Sequence, residues 1–308
     1  MTFTLFSSPH SSLELQLLSL LRTRINLSDK YRMSYENLKK GFDGEWKLFK
    51  LLEKGLYADC IPLFGLRFEF NQTEFQIDSL LIFQGKIYLF EVKNFGGDYY
   101  VKEDKWYTVA SGIEIRNPLH QLKRCELLFR QFLQQLGYNI QIESYIVYVN
   151  SEFFLYQAPF NQSLVFPNQL MRFVKKLNNN TGKISRKHKN LANQLAQRHI
   201  PRSSHERLPE YTYENLEKGI VCNGCHEFLT NLNQTSLRCI NCGNKELVDH
   251  AVIRSVKEFH TLFPDRRITT TAIHEWCKII ESKKTIRRIL KKNFTLVGSN
   301  RNAHFVFK

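Results

Sequence analysis

Two neighbouring apolar segments, 75–83 and 86–93, constrain the fold of this chain more than any other feature. Both have the length and the β-branched and aromatic content of strands, and only Gln84 and Gly85 stand between them. Gly85 permits the positive φ that a tight hairpin turn needs. The pattern therefore predicts an antiparallel β-hairpin whose register follows from its two-residue loop.

That register predicts a cluster of three ionisable side chains. Asp78 falls opposite Glu91, and Lys93 lies on the same face because alternate side chains of a strand share a face. Two such carboxylates repel each other unless a divalent cation lies between them, and oxygen ligands favour Mg²⁺ or Mn²⁺. The cation would polarise a phosphodiester and lower the pKa of a bound water, while Lys93 holds that water or offsets negative charge. The alternative interpretation is a surface ion pair on a sheet, which stabilises little.

Two further polar residues suggest support for this cluster. Glu45 shares a helical face with the apolar residues 48, 49 and 52, and a carboxylate on an inward face needs a partner such as a cation. Pro118 is expected to begin a helix, which places Gln121 in its first turn. The amide of Gln121 could there reach a phosphate or a water. An ordinary position at a helix start is the alternative for Gln121.

The predicted elements follow the order helix, three strands, helix, strand, in an α/β fold. An amphipathic helix over 13–27 precedes them. The core elements are a helix over 42–54, strands over 60–70, 75–83 and 86–93, further strand segments over 98–109 and 112–115, a helix over 118–136 and a strand over 141–149.

Four short motifs in this order resemble the NERD (nuclease-related) domain, a family of the PD-(D/E)xK nuclease superfamily, over residues 38–150. They are Gly41-Phe-Asp-Gly-Glu45, Gln76-Ile-Asp78, Phe90-Glu-Val-Lys-Asn94 followed by Gly96-Gly97, and Asn117-Pro-Leu-His-Gln121. The resemblance implies a PD-(D/E)xK nuclease-like αβββαβ core and a metal-dependent phosphodiesterase. It implies that Asp78 and Glu91 are metal ligands, that Lys93 is catalytic, and that Glu45 and Gln121 support them. The proline that names the superfamily is absent, since Ile77 precedes Asp78.

Four of the seven cysteines form two C-x2-C pairs that are 13 residues apart. Each pair has a glycine nearby, Gly224 or Gly243, which lets the backbone curl around one ion. Tetrahedral coordination by four sulfurs predicts a structural Zn²⁺ in a zinc ribbon, and the alternatives are free thiols or a redox pair. Clustered thiols also favour a reducing compartment, and we expect a cytoplasmic protein. The predicted zinc ligands are Cys222, Cys225, Cys239 and Cys242.

The net charge of +15 is distributed unevenly along the chain. Residues 1–152 carry 18 basic and 18 acidic side chains, whereas 153–205 carry nine basic and no acidic ones. Residues 206–250 have a net charge of −3, and 251–308 one of +9. Segregated positive charge is typical of a polyanion partner, which we expect to be nucleic acid, with a solvated surface or an anionic membrane as the alternative.

Membrane and secretory signals are missing from the sequence pattern. Residues 1–10 contain no basic cluster ahead of an apolar run, so no secretory signal is expected. No segment approaches the roughly 20 apolar residues of a membrane span, and we therefore expect no membrane partner.

The C-terminal segment is predicted to resemble a winged helix-turn-helix. Helices over 269–280 and 284–292 precede strands over 294–297 and 303–307. The second helix could bind phosphates or enter a major groove, or could simply close a small core with a solvated basic face. Its basic residues are Lys283, Lys284, Arg287, Arg288, Lys291 and Lys292.

These patterns together predict a Mg²⁺-dependent (or Mn²⁺-dependent) deoxyribonuclease with accessory elements that bind DNA. The alternatives are a catalytically inactive nucleic-acid-binding or scaffold protein that retains the nuclease fold, and a regulatory zinc-ribbon module acting through protein partners. The expected divisions are an N-terminal helical segment (1–37), the nuclease-like domain (38–155), a basic connector with a helix near 187–198 (156–212), the zinc ribbon (213–250) and the basic winged-helix-like region (251–308).

Overall fold

The computed structural model describes residues 6–160 and 163–308. The expectation for residues 1–10 therefore rests partly on residues 1–5, which lie outside the described residues. The chain divides into two compact units. The first comprises the residues up to Leu13 and Glu36–Glu206, and the second comprises Glu14–Tyr35 and Arg207–Lys308. Within the described part of the chain, no helix is long and apolar enough to cross a membrane.

The predicted order of elements is confirmed in the nuclease-like core. Two helices begin the described chain, and the elements that follow as far as residue 197 belong to the first unit. The elements are α1 (Leu13–Arg24), α2 (Asp29–Gly55), β1 (Ile61–Phe70), β2 (Thr73–Ile82), β3 (Lys86–Lys93), β4 (Gly97–Lys102), β5 (Lys105–Thr108), β6 (Glu114–Ile115), α3 (Pro118–Gln135), β7 (Gln141–Tyr148), β8 (Phe153–Tyr156), β9 (Leu164–Val165), α4 (Leu170–Asn178) and α5 (Arg186–Gln197).

The main sheet has five strands in the order β1-β2-β3-β7-β9. The first three strands are antiparallel, and β3, β7 and β9 are parallel. Helices cover both faces, which explains why β3 is apolar almost throughout. Ile87 and Leu89 pack in a core with Phe129 of α3, whereas Tyr88 and Phe90 pack in a second core with residues of α2 and α4.

Helix α2 begins at Asp29, thirteen residues before the predicted start at Phe42, so that prediction of the boundary was wrong. Gly41 and Gly44 both lie inside α2, although glycine is a poor helix former. Gly44 is instead a point of close packing: a Cβ there would lie 2.8 Å from Cβ of Asn94. The close packing of the Asn94 side chain against α2 therefore explains the glycine at position 44.

A second sheet has four strands in the order β6-β5-β4-β8. Its first strand in the chain, β4, follows β3. The segment 98–109 was expected to be strand, but it turns at Glu103 and Asp104, where both residues have positive φ. Two consecutive residues of this kind form a two-residue hairpin turn, and the missing glycine is why the sequence did not indicate it. The second sheet packs its inner face, including Trp106 and Phe153, onto the main core.

Besides α1 and the start of α2, the second unit contains a small sheet, three helices and a terminal hairpin within 207–308. Its elements are β10 (Thr230–Asn231), β11 (Ser236–Arg238), β12 (Lys245–Leu247), α6 (Val248–Leu262), α7 (Thr270–Cys277), α8 (Lys283–Asn293), β13 (Thr295–Val297) and β14 (His304–Val306). Strands β10, β11 and β12 form one antiparallel sheet, and β13 pairs with β14. Helices α7 and α8 followed by the hairpin have the order that the sequence predicts, and α6 precedes them as a helix that it did not predict. Ile268 forms an isolated bridge with Phe305 of the hairpin.

Candidate active site and metal centre

The β2–β3 hairpin has the register that its loop predicts. Ile82 lies opposite Ile87 and Ser79 lies opposite Phe90, the last pair of the two strands. Just beyond that point, the main-chain N–H of Val92 donates a hydrogen bond of 2.9 Å to Oδ2 of Asp78. The side chain of Asp78 therefore accepts a main-chain hydrogen bond from β3 at the place where pairing with β2 has ended.

Glu91, Lys93 and Gln121 form one hydrogen-bonded group beside Asp78. Nζ of Lys93 donates to Oε1 of Glu91 at 2.7 Å and to Oε1 of Gln121 at 3.0 Å. Nε2 of Gln121 donates to Oε1 of Glu91 at 2.6 Å. Gln121 occupies the first turn of α3 because Asn117 caps that helix, its Oδ1 accepting from the N–H of Leu119.

The carboxylates of Glu45, Asp78 and Glu91 share this region, and two of them have raised pKa values. Burial, followed by the charges of Asp78 and Glu91, raises the pKa of Glu45 to about 9. Burial and then the charge of Glu91 raise the pKa of Asp78 to about 7, although the Val92 N–H and Lys93 act in the opposite direction. Glu91 is only 5% exposed. Crowded, desolvated carboxylates of this kind are neutralised either by protons or by a cation.

Asn94, the residue after β3, was part of a sequence motif without a predicted role. Its Nδ2 donates to the carbonyl of Lys40 at 2.8 Å, and its Oδ1 accepts from Nζ of Lys47 at 3.2 Å. Both partners lie on α2, the helix that carries Glu45. Asn94 therefore holds α2 against the end of β3, which keeps Glu45 beside the carboxylates of the hairpin.

A cleft of about 470 Å³ opens over the hairpin and α3. Asp78, Glu91 and Gln121 line it, whereas Glu45 and Lys93 are outside its lining. The cleft also contains three basic side chains that sequence reasoning missed. They are Arg116, His120 and Arg124. For His120 and Arg124, the spacing of four residues was the available signal, since such residues share a helical face.

The four clustered cysteines of the second unit converge as the two C-x2-C pairs predict. Their Sγ atoms all lie within 4.8 Å of one another, with 3.7 Å between Cys222 and Cys242 and 3.3 Å between Cys225 and Cys239. Sulfurs bound to one tetrahedral Zn²⁺ at about 2.3 Å are about 3.8 Å apart, so the set fits that ion. Such a cluster could bind zinc, with all four positions taken by protein ligands.

Hydrogen bonds to Sγ of Cys222 lower the pKa of its thiol. Burial would raise its thiol pKa, but the N–H groups of Cys225 and Gly224 and the amide of Asn244 outweigh it and lower the pKa to about 6. The Gly224 N–H lies 3.3 Å from Sγ of Cys222. A thiol of lowered pKa is readily present as the thiolate that zinc requires.

The basic side chains of α8 are exposed, while Ile286, Ile289 and Leu290 are buried beneath them. Of the six basic residues, Arg288 is held inside the unit by Asp249, with N···O distances of 2.6 and 3.0 Å. The other five form no salt bridge with any described residue. The helix therefore presents a solvated basic face, as its sequence predicts.

Comparisons with known proteins identify one part of the chain. Residues 40–149 match the family model described as "Nuclease-related domain". Among solved structures, Can2 from Sulfobacillus thermosulfidooxidans, in complex with cyclic tetra-adenylate, is 12% identical over 54% of this chain and 51% of that one, with a TM-score of 0.30. Protein VC1899 from Vibrio cholerae is 12% identical over 54% of this chain and 49% of that one, with a TM-score of 0.26.

The chain thus spans about half the length of each of these two structures. Among curated proteins the comparison found no relative. The family match covers the helix of Glu45, the β2–β3 hairpin and the helix of Gln121, so it includes every residue of the carboxylate cluster. Residues 40–149 are therefore a nuclease-related (NERD) domain.

Proposed function

We propose that this chain is a metal-dependent nuclease that hydrolyses phosphodiester bonds in DNA. The observation that carries the proposal is the meeting of Asp78, Glu91 and Lys93 at one end of a hairpin inside a nuclease-related domain. A surface ion pair would not require this burial, because Glu91 is 5% exposed. It would also not crowd a third carboxylate, Glu45, against the pair.

The donor set fits a hard divalent cation. Asp78 and Glu91 would hold Mg²⁺ or Mn²⁺, because both offer carboxylate oxygens and both face the cleft. Glu45 would support them from α2. When bound, the cation supplies Lewis-acid polarisation of the phosphodiester and a lower pKa for a bound water.

The chain's own residues would position and stabilise the reacting groups. The Lys93 ammonium, now shared between Glu91 and Gln121, would orient the attacking water and place positive charge beside the phosphorane-like transition state. The Gln121 amide holds Oε1 of Glu91 in place. The Val92 N–H holds Oδ2 of Asp78, so neither carboxylate must reorganise during the reaction.

The second unit would hold the nucleic acid rather than cut it. A closed four-sulfur zinc site has no open coordination position, so we assign it a structural role in a zinc ribbon. The exposed basic face of α8 would bind phosphates. Four zinc-binding thiolates persist in a reducing compartment, and we therefore propose a cytoplasmic location.

The direct test is cleavage of supercoiled and linear DNA, and of RNA, with Mg²⁺ or Mn²⁺ and then with a chelator. We expect metal-dependent cleavage of DNA, and we expect Lys93→Ala to reduce its rate by at least about 100-fold. The matched control is Lys86→Ala, at the other end of the same strand, where the lysine pairs with Glu143. Cleavage by Lys93→Ala at the wild-type rate would refute the proposed site. DNA binding without cleavage under either metal would leave a nucleic-acid-binding function only.

A further inference from the structure

We propose that Arg116, His120 and Arg124 form a phosphate-binding wall that holds the strand being cut on either side of the scissile phosphate. The inference rests on the proposed nuclease function and names the part of the substrate that the cleft recognises. All three side chains line the same cleft as Asp78 and Glu91. None of them belongs to the carboxylate cluster or its hydrogen bonds.

The fold places the three groups in one row. His120 and Arg124 are one turn apart on α3, about 6 Å along the helix axis, and Arg116 comes two residues before the helix begins. The buried side of the same helix, which includes Phe129 and Leu133, packs on the main sheet. The row is therefore attached to a rigid element that also carries Gln121, and its distance from the carboxylates is set by the core.

Among the described residues, Arg116 and Arg124 have no carboxylate partner of their own. Neither forms a salt bridge with any described residue, whereas Arg130 on the same helix pairs with Glu126 at 2.6 Å. Glu74, the third acidic residue of the cleft, is already bound by Arg67 at 3.2 Å and by Ser203 and Ser204. These contacts lower the pKa of Glu74 although burial acts against them. The charge of Glu74 is thus balanced by Arg67, which does not line the cleft.

Arginine fits phosphate because its planar guanidinium can donate two parallel hydrogen bonds to two phosphate oxygens. An exposed row of such donors beside a cation-binding carboxylate pair is complementary to an extended polyanion with a reacting phosphate at one point. We therefore infer a nucleic-acid backbone as the occupant.

Contacts to non-reacting phosphates contribute equally to substrate and transition state. Their loss should raise KM and leave kcat nearly unchanged, in contrast to the loss of Lys93. The salt dependence of binding should change as well. Each phosphate contact that is removed lowers the slope of log affinity against log salt by about one.

The experiment compares Arg116→Ala and Arg124→Ala with Lys123→Ala. Lys123 is the matched control because it is an exposed cation on the same helix that does not line the cleft. Affinity for a labelled DNA duplex and for a labelled single strand is measured by fluorescence anisotropy between 50 and 200 mM salt, roughly the range over which counterion release is resolved. The full chain is used, carrying Lys93→Ala in every case so that the DNA is not cut during the measurement in Mg²⁺.

We expect each arginine variant to bind DNA about 3- to 10-fold more weakly with a slope smaller by about one, and Lys123→Ala to bind within about twofold of its parent. The slope of log affinity against log salt reports the total number of phosphate contacts in the complex. Contacts made by the basic helix α8 are the same in every variant, so they do not conceal the loss of one contact in the cleft. In the background with Lys93, KM should rise about 3- to 10-fold while kcat stays within about twofold.

Slopes for both arginine variants that equal the slope of Lys123→Ala would overturn the inference. The two proposals fail separately. Weakened binding by the arginine variants, in a chain that cuts neither DNA nor RNA, would retain the phosphate wall and remove the nuclease. Metal-dependent cleavage with unchanged slopes would retain the nuclease and remove the wall.

Discussion

The N–H of Val92 binds Oδ2 of Asp78 at 2.9 Å, immediately past the last paired residues of β2 and β3. A backbone donor left without a strand partner is thereby satisfied by a carboxylate that the same hairpin carries. This bond fixes one oxygen of Asp78 and leaves the other toward the cleft, where Gln76 approaches it at 3.4 Å. Asp78 therefore has a structural role, as the acceptor for the Val92 N–H, and a proposed chemical role as a metal ligand.

Asp78→Asn should separate these two roles. Its carbonyl oxygen can still accept the hydrogen bond from Val92, so we expect the thermal midpoint to change by only a few degrees. The loss of one carboxylate should reduce divalent-cation binding and slow cleavage by about 100-fold or more. Isothermal titration with Mn²⁺ and a cleavage assay measure both. Retention of Mn²⁺ affinity and activity in a folded variant would show that Asp78 is not a metal ligand.

One tightly bound zinc ion is expected for each chain. Elemental analysis of the purified protein measures it directly, and Cys222→Ser should lose the ion because the tetrahedral set is then incomplete. Residues 217–248 should become susceptible to limited proteolysis at the same time. Cys60→Ser is the control, since Cys60 is outside the cluster. Protein without zinc, or a Cys222→Ser variant that keeps it, would contradict the assignment.

The basic face of α8 should contribute to DNA affinity. Lys284→Glu is expected to weaken DNA binding by about 10-fold at moderate salt, and by less as salt increases, because it both loses and repels a phosphate. Lys102→Glu is the control, because it makes the same change of charge at an exposed residue of the first unit. We expect it to change the DNA affinity by less than about twofold. Gel-shift titrations compare the two variants. Equal effects would show that only the net charge matters.

A buried ion pair should be critical for the second unit. Nε of Arg24 lies 2.8 Å from Oε1 of Glu258, the side chains are 0% and 6% exposed, and the guanidinium lies over the ring of Trp276. Glu258→Ala leaves that charge buried, so we expect the free energy of unfolding to fall by about 3 kcal/mol or more.

The exposed pair Arg266–Glu214, 3.8 Å apart, provides the comparison for this experiment. Removing Glu214 should cost less than about 1 kcal/mol. Urea unfolding followed by tryptophan fluorescence measures both variants. Similar decreases in the free energy of unfolding for Glu258→Ala and Glu214→Ala would show that the buried pair stabilises the fold no more than the exposed pair does.

His199 should make the first unit sensitive to acid. Burial, with His10 and Arg67 nearby, lowers the pKa of His199 to about 4, and its Nδ1 accepts a hydrogen bond of 3.1 Å from the Arg67 N–H. Above pH about 6.5 the ring is neutral in both states and adds no pH dependence. Between about 6.5 and 4 the unfolded chain takes up a proton that the folded chain resists, so stability falls as the pH falls.

His199→Asn keeps an acceptor for Arg67 and removes the titration. The stability advantage of wild type over this variant should therefore shrink between pH 7.5 and 5, as measured by urea unfolding at each pH. A difference in stability that is the same at both pH values would contradict the proposed origin of the acid sensitivity.

The elements that sequence patterns predicted well are those with strong local signals. The hairpin register around Gln84 and Gly85 is confirmed because the loop length leaves a single pairing. Helix α3 begins at Pro118 as predicted, and the cysteine pairs converge through their turns. The catalytic roles of Asp78, Glu91, Lys93, Glu45 and Gln121 stay predictions.

Features that depend on packing between distant segments were missed. Helix α6, the strands β8 and β9 and helix α4 were not predicted. The strands and α4 are short, and short segments receive their structure from the surfaces that they cover. The role of Asn94 could not be inferred either, because its partners Lys40 and Lys47 are about fifty residues away in the chain. The same holds for Arg116 and Arg124, whose position in the cleft depends on how α3 lies on the sheet.

The sequence by itself determined which chemical groups this protein brings to one hairpin and to one four-cysteine cluster, because strand alternation and turn length act over a few residues. Only the tertiary structure decided that Glu45 and Gln121 join the hairpin and that a row of cations faces the same cleft. Those distances depend on the burial of two helices against opposite faces of one sheet, and packing of that kind has no local pattern in the sequence.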